Sequence, residues 1–216
     1  MKKSAPCIER ESEEKLKRQA FQQEQETPEK RRILLHSCCG PCSTACIERL
    51  LPDYKVTIFY YNPNITDRDE YEKRKANQIK FIEAFNEDVP EEDKVIFIEG
   101  EYLPEDFFDV AKGLENCPEG GERCTECFKL RLDRTAKAAT VMGYPIFGTT
   151  LTVSPHKNYQ LISAIGTQLA EIYELEFLDM DFKKKAGFQR SIELSKKYEL
   201  YRQNYCGCEF SKWEDK

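Results

Sequence analysis

The chain has 216 residues, with 33 Lys+Arg against 39 Asp+Glu and a net charge of −6 when both histidines are neutral. That length suits one domain, and 40% hydrophobic with 33% charged residues supplies a core while leaving no membrane-spanning run. The uncharged stretch Ile33 to Ile47 is broken by Gly40 and Pro41, and the N-terminus lacks the apolar segment of a secretory signal, so a cytoplasmic address is expected.

Residues 1–32 hold nine basic residues and seven glutamates but only seven hydrophobic side chains. Such a segment cannot build a core and reads as a charged extension, flexible or helical, in which Cys7 is incidental. Residues 33–216 read as a single catalytic α/β domain. Ile33 to His36 is a short apolar strand that reaches a Gly-Pro turn, followed by the helical stretch Ser43 to Leu51. Val56 to Tyr61 repeats the strand, Asn62-Pro63-Asn64 the turn, and Asp67 to Asn86 the helix, with Tyr71, Ile79, Ile82 and Phe85 as its apolar contacts.

Val95 to Ile98 is a third strand and Pro104 to Lys112 a short helix opened by proline. Phe128 to Met142 reads as helix, Pro145 to Gly148 as strand and Asn158 to Tyr173 as helix. Glu176 to Leu178 is a last strand and Ser191 to Tyr201 a last helix. Alternation of this kind implies an open, mainly parallel, Rossmann-like sheet with helices on both faces. Such sheets place their sites beyond the carboxyl ends of the strands, where this sequence puts Cys38 and Cys39, Asn62 and Asn64, and Thr149 and Thr150.

Charge is unevenly spread. Glu87 to Glu126 counts fourteen acidic residues against three basic, whereas Asp181 to Gln203 counts seven basic against three acidic. The basic stretch, interleaved with Phe182, Phe188, Tyr198 and Tyr201, can track phosphates or serve as a solvated helix face.

Ten cysteines in a chain expected in a reducing compartment point to metal or redox chemistry rather than to disulfide staples. Cys124 and Cys127 form a Cys-X-X-Cys pair, which is half of a metal site, and Cys38-Cys39-Gly40-Pro41-Cys42 offers three more sulfurs before a helix N-terminus that favours thiolate. Cys38, Cys39, Cys124 and Cys127 are the preferred ligands, and four sulfurs suit either zinc or an iron-sulfur cluster. Cys206-Gly207-Cys208 can close only a small strained ring, whose easy reduction suits a redox-active dithiol, although a second ligand pair or two inert thiols fit the same string.

The strings LLHSCCGPCS (Leu34 to Ser43), YNPNI (Tyr61 to Ile65) with Glu70-Tyr71, CTECFKLRL (Cys124 to Leu132), TTLTVSPHKN (Thr149 to Asn158) and YCGCEFS (Tyr205 to Ser211) resemble the epoxyqueuosine reductases of the QueH type. The resemblance runs from about residue 33 to residue 211 and leaves residues 1–32 outside. It implies a HUP-class Rossmann-like fold and the last step of queuosine synthesis, without cobalamin: the epoxide of epoxyqueuosine, at the wobble position of a tRNA, is reduced to the alkene. It further implies a 4Fe-4S cluster on Cys38, Cys39, Cys124 and Cys127, a redox-active disulfide at Cys206 and Cys208, and a possible additional iron near Cys42.

Removing an epoxide oxygen takes two electrons and two protons, so an external electron donor is expected, with the Cys206–Cys208 pair as a two-electron buffer. His36 and His156 are weak candidates for the proton donor, beside Tyr60, Tyr61 and Lys157. Tyr61, Asn62, Asn64 and Lys157 are candidate substrate contacts, since unstacked anticodon bases are read by aromatic stacking and side-chain amides. Two other classes fit parts of the sequence. An ATP-dependent tRNA thiolase shares the fold, but Pro41 removes an amide donor where phosphate would lie. A zinc-stabilised RNA-binding module would make the grouped cysteines structural.

Overall fold

The computed structural model describes residues 29–212. The charged extension, including Cys7, lies almost wholly outside the described residues. Five parallel strands form one open sheet in the order β3-β2-β1-β4-β5: β1 Arg31–His36, β2 Tyr54–Tyr60, β3 Ile96–Glu99, β4 Ile146–Thr149 and β5 Glu176–Phe177. Six α-helices connect and cover it: α1 Gly40–Leu50, α2 Arg68–Asn86, α3 Pro104–Ala111, α4 Glu122–Met142, α5 Tyr159–Tyr173 and α6 Gly187–Lys197.

A parallel sheet buried on both faces needs near-continuous apolar strands. In β1 residues Ile33 to His36 are all buried, and their alternation divides them between two cores. Ile33 and Leu35 pack with Cys46, Ile47 and Leu50 of α1 and with Phe81 and Ile82 of α2. Leu34 packs on the opposite face with Ala136 and Ala139 of α4 and with Phe147 of β4. Register runs Ile33 to Val56 on one side of β1 and Ile33 to Ile146 on the other, so β1 is the central strand.

Most helix starts follow from local chemistry. The Asp67 side chain accepts hydrogen bonds from the Asp69 and Glu70 amides at the head of α2, and Asn158 caps α5 by accepting from the Leu161 amide. Pro104 opens α3, and α4 ends at Gly143 in the left-handed conformation, φ 69°.

Three helices depart from the sequence expectation. α1 begins at Gly40, with Pro41 in its first turn, rather than at Ser43. α4 begins at Glu122 rather than Phe128, because Gly121 adopts the extended N-cap conformation and the helix then runs through both Cys124 and Cys127. α6 spans Gly187–Lys197 rather than Ser191 to Tyr201. A Cβ on Gly187 would sit 1.8 Å from the Phe182 carbonyl oxygen, so this glycine permits a tight entry turn, and left-handed Glu199, φ 51°, turns the chain away soon after the helix ends.

The strand order reverses at β1, with β2 and β3 on one side and β4 and β5 on the other. The carboxyl ends of β1 and β4 therefore flank the topological switch point, where open α/β sheets form their binding crevice.

Candidate metal centre and its cavity

β1 ends on His36, which ties three strand ends together. Its Nε2 lies 3.1 Å from the Tyr61 carbonyl, which can only accept, so Nε2 carries the proton and Nδ1 accepts from the Thr149 hydroxyl at 3.0 Å. Burial, with the Arg131 guanidinium nearby, pushes its pKa down to about 3 and keeps the ring neutral. The following loop is anchored by α2: the Ser37 hydroxyl donates to Gln78 Oε1 at 2.7 Å, and Gln78 Nε2 donates to the Ser43 hydroxyl at 2.8 Å. A Cβ on Gly40 would lie 2.8 Å from the Asn77 carbonyl oxygen, so glycine lets α1 begin against α2.

This framework gathers three sulfurs. Cys39 is the N-cap residue of α1 and its side chain makes no capping bond. The sulfurs of Cys38, Cys39 and Cys42 all lie within 4.8 Å of one another, a group that could hold a metal ion. Hydrogen bonding from Cys39 and Cys42 holds the Cys38 thiol well below its ordinary range; hydrogen bonding to Cys38 pushes Cys39 up to about 12 against an opposing effect of Cys42, and Cys38 and Cys39 together push Cys42 upward. Of the three, Cys38 is therefore the thiol most disposed to thiolate.

The Cys-X-X-Cys pair approaches from α4. Cys124 packs against the cluster formed by Cys38, Cys39 and Phe128, and its sulfur accepts from the Gly120 amide at 3.2 Å. Cys127 is buried in an adjoining cluster with Phe107 and Cys208, where burial pushes its thiol up to about 11. Neither belongs to the close trio. Arg131 follows on the same helix face, wholly buried, donating through Nε to the Cys127 carbonyl at 3.3 Å while its Nη2 has no partner.

A third segment brings Cys206 and Cys208, both free thiols. Arg74 of α2 grips this loop from beneath through Nη1 to the Cys206 carbonyl at 3.0 Å and Nη2 to the Tyr205 carbonyl at 3.3 Å. Gly207 has φ 121°, and a Cβ there would meet Ile65 at 2.9 Å, so both conformation and space require glycine. Lys157 Nζ donates to the Cys206 sulfur at 3.2 Å. Burial opposes the charge on Lys157, but the Cys206 sulfur and others outweigh it and hold the ammonium above its usual range. Cys208 is buried, 3.3 Å from the Ser211 hydroxyl, and burial raises its thiol pKa.

A cavity of about 580 Å³ opens between these segments, lined by Cys38, Cys42, Arg131, Lys157, Gln203 and Cys206, among others. His156 also lines it, whereas His36 does not. Tyr61, Asn62 and Asn64 lie outside the lining and are buried. The Tyr61 hydroxyl donates to Asp106 at 2.8 Å and Asn62 Nδ2 to the Ser37 carbonyl at 2.9 Å, so they brace the loop from behind.

Four residues here escape a reading of the sequence. Gln203, whose Nε2 donates to the Cys39 sulfur at 3.0 Å, lies in a loop without periodicity. Arg74 and Gln78 fall on the Tyr71–Phe81 stripe of α2, and Arg131 lies seven positions beyond Cys124 and four beyond Cys127, on the same helix face, which was the available signal.

The family model for epoxyqueuosine reductase QueH matches residues 33–214. The chain belongs to the QueH family. QueH of Staphylococcus epidermidis is 44% identical over 200 residues, covering 92% of this chain and 83% of that protein. QueH of Streptococcus pyogenes serotype M1 is 41% identical over 179 residues, 83% of this chain and 69% of its own, and QueH of Thermotoga maritima is 36% identical over 182 residues, 83% and 89% respectively.

A metal implied by the QueH family can be tested against the donor set. The close trio supplies only soft sulfur ligands, with further thiols in the adjoining clusters, which suits zinc or iron-sulfur chemistry and not a hard cation. The donors therefore fit a thiolate metal centre. Among the described residues no helix is long and apolar enough to cross a membrane.

Proposed function

We propose that residues 33–216 form the catalytic unit of an epoxyqueuosine reductase, an oxidoreductase that converts the epoxide of epoxyqueuosine in tRNA to the alkene of queuosine. The observation that carries this reading is the shared cavity: Cys38 and Cys42 of the trio and Cys206 of the C-terminal pair line the same space. Family membership favours it over a thiolase or a zinc module. A 4Fe-4S cluster on Cys38, Cys39, Cys124 and Cys127, with Cys42 available to an additional iron, would supply low-potential electrons and Lewis acidity at that wall.

The chain's own residues account for the rest of the balance. Conversion of the epoxide to alkene and water consumes two electrons and two protons. Cys206 and Cys208, as thiols, release that number of each when they join in a disulfide, and an external electron donor then restores them. Lys157 keeps Cys206 oriented toward the cavity and presents an ammonium proton there. His156 is the titratable imidazole at the cavity, while His36 holds strand ends together in neutral form. The cavity volume suits one modified base, and the basic stretch around α6 is available to the tRNA backbone. A tRNA substrate also agrees with a cytoplasmic address.

Anaerobically purified protein should be brown, with absorbance near 400 nm and both iron and sulfide on analysis. Incubated with epoxyqueuosine-containing tRNA and a low-potential reductant, it should yield queuosine by nucleoside mass analysis. Cys206→Ser and Cys208→Ser should each lower multiple-turnover activity by more than about tenfold, the scale expected when an electron relay is removed. Colourless protein containing only zinc would sink the iron reading, and full multiple-turnover activity in both variants would remove the dithiol from it.

A further inference from the structure

Three arginines are almost completely buried: Arg74, Arg123 and Arg131. A guanidinium cannot shed its proton, so each needs an internal partner for a permanent charge. Arg74 has one, since its Nε meets the Glu70 carboxylate at 2.6 Å and its other nitrogens meet two carbonyls. Arg123 directs Nη1 at three carbonyl oxygens, those of Leu114, Glu115 and Cys117. Arg131 stands apart. It makes one hydrogen bond, at 3.3 Å, and among the described residues no carboxylate pairs with it.

What surrounds Arg131 is sulfur. The arginine lines the cavity together with Cys38, Cys42 and Cys206, follows Cys127 by one helical turn and holds that residue's carbonyl, with its guanidinium carbon 5.7 Å from the Phe128 ring centre, and the sulfurs of all three cysteine-bearing segments outweigh the burial that opposes its charge. Lys157 also faces this group and lines the same cavity, but its ammonium donates to Cys206, whereas Arg131 leaves Nη2 unpaired beside the sulfurs of the β1–α1 loop and α4. Metal-bound thiols are thiolates, and a centre built from several of them is anionic. A fixed positive charge in a dry interior has the right sign and place to balance it.

We propose that Arg131 is the resident counter-charge of the thiolate metal centre, a positioning residue that favours the more negative, reduced state and so raises the centre's reduction potential. This rests on the metal-centre reading given above. The charge is lodged in the fold before the metal arrives, so its cost falls on the metal-free protein and its benefit on the loaded one. Replacing a buried, poorly paired charge with an apolar side chain of similar length is commonly neutral or stabilising.

The test compares wild type, Arg131→Met and Arg131→Lys after anaerobic reconstitution. Iron and sulfide content, the midpoint potential from an optical redox titration, and the melting temperature of the metal-free forms are measured. The metal-free Arg131→Met protein should melt no lower than wild type. Its loaded form should show reduction disfavoured at least tenfold, a downward shift of about 59 mV for a one-electron couple. Arg131→Lys, which keeps the charge, should recover at least half of that shift.

An unchanged potential in iron-loaded Arg131→Met would overturn the proposal. So would a fall in melting temperature shared by both metal-free variants, or failure of Arg131→Met to fold, since either would make Arg131 a packing residue. Wild-type protein that takes up no redox-active metal would sink the metal-centre reading itself, an outcome distinct from iron bound at an unaltered potential.

Discussion

The loop after β1 and the loop carrying Cys206 and Cys208 both present sulfur to one cavity, but they are held in different ways. The first is fixed by regular structure. His36 joins the ends of β1, β2 and β4, and Gln78 locks Ser37 to Ser43, so Cys38, Cys39 and Cys42 are set by a strand end and a helix start. The second has no strand or α-helix of its own around Cys206. It hangs on Arg74, on the Gly207 carbonyl accepting from the Thr66 amide at 3.3 Å, and on Lys157. A site that must hold metal gains from the first kind of support, because ligand geometry cannot wander. A dithiol that must close and reopen gains from the second, because few bonds have to adjust.

The largest effect should come from breaking the rigid half. Cys39→Ser removes one sulfur of the close trio while leaving an oxygen that can accept from Gln203 Nε2, without disturbing a capping bond. Iron content should fall to near background and epoxide reduction by at least about a hundredfold, the scale seen when a unit of interdependent catalytic groups loses one member. The melting temperature of the metal-free protein should fall by no more than about 4 °C, because Cys39 is buried beside Cys38 and Phe128 but the change is near-isosteric. A Cys39→Ser protein that retains iron and turnover would show that the trio is not the metal-binding half.

Arg74→Met should break the other half and give a smaller, differently shaped loss. It strands the Glu70 carboxylate, which is mostly buried, and frees the Tyr205 and Cys206 carbonyls. Breaking a buried pair by removing one partner costs about 3 kcal/mol, or roughly a 6–12 °C fall in melting temperature for a domain of this size. Iron binding should persist, since the trio is held by other contacts. Alkylation of Cys206 and Cys208 should quicken as their loop loosens, read by mass spectrometry of the modified peptides. If alkylation is unchanged while stability falls, Arg74 supports α2 alone and the contrast between the two loops is weaker than the contacts imply.

Much of this architecture was legible beforehand because it rests on periodicity and spacing. The apolar run Ile33 to Leu35 and the helix starts at Asp67 and Asn158 are local signals, and the structure uses them as such, whereas Gly40-Pro41, read as a turn, forms the first turn of α1. The sulfur motifs were legible for the same reason, although spacing did not reveal that Cys42 would join Cys38 and Cys39 more closely than Cys124 or Cys127 does. Polar residues on buried faces were not legible. Arg74, Gln78 and Arg131 look like solvent-facing residues of charged helices, and only the approach of the C-terminal loop and the cysteine cluster gives them partners. The late start given to α4 has a related origin: the cysteine-bearing segment does not read as helix from the sequence, whereas Gly121 is the cap from which the helix begins and runs through both cysteines.

The smallest predicted effect probes how Lys157 reaches the mobile-type half of the site from a regular element. Lys157 immediately precedes Asn158, whose side chain accepts from the Leu161 amide at 3.2 Å and fixes the first turn of α5. Asn158→Ala leaves that amide without its partner and should cost about 1 kcal/mol, read as a drop of roughly 2–4 °C in melting temperature. Asn158→Asp, which keeps an acceptor and adds a negative charge at the helix N-terminus, should recover most of it. Iron content should not change in either. If the entry of α5 also sets the Lys157–Cys206 contact, Asn158→Ala should slow multiple turnover by a small factor while leaving a single turnover intact, because the ammonium then points less consistently at the sulfur it holds.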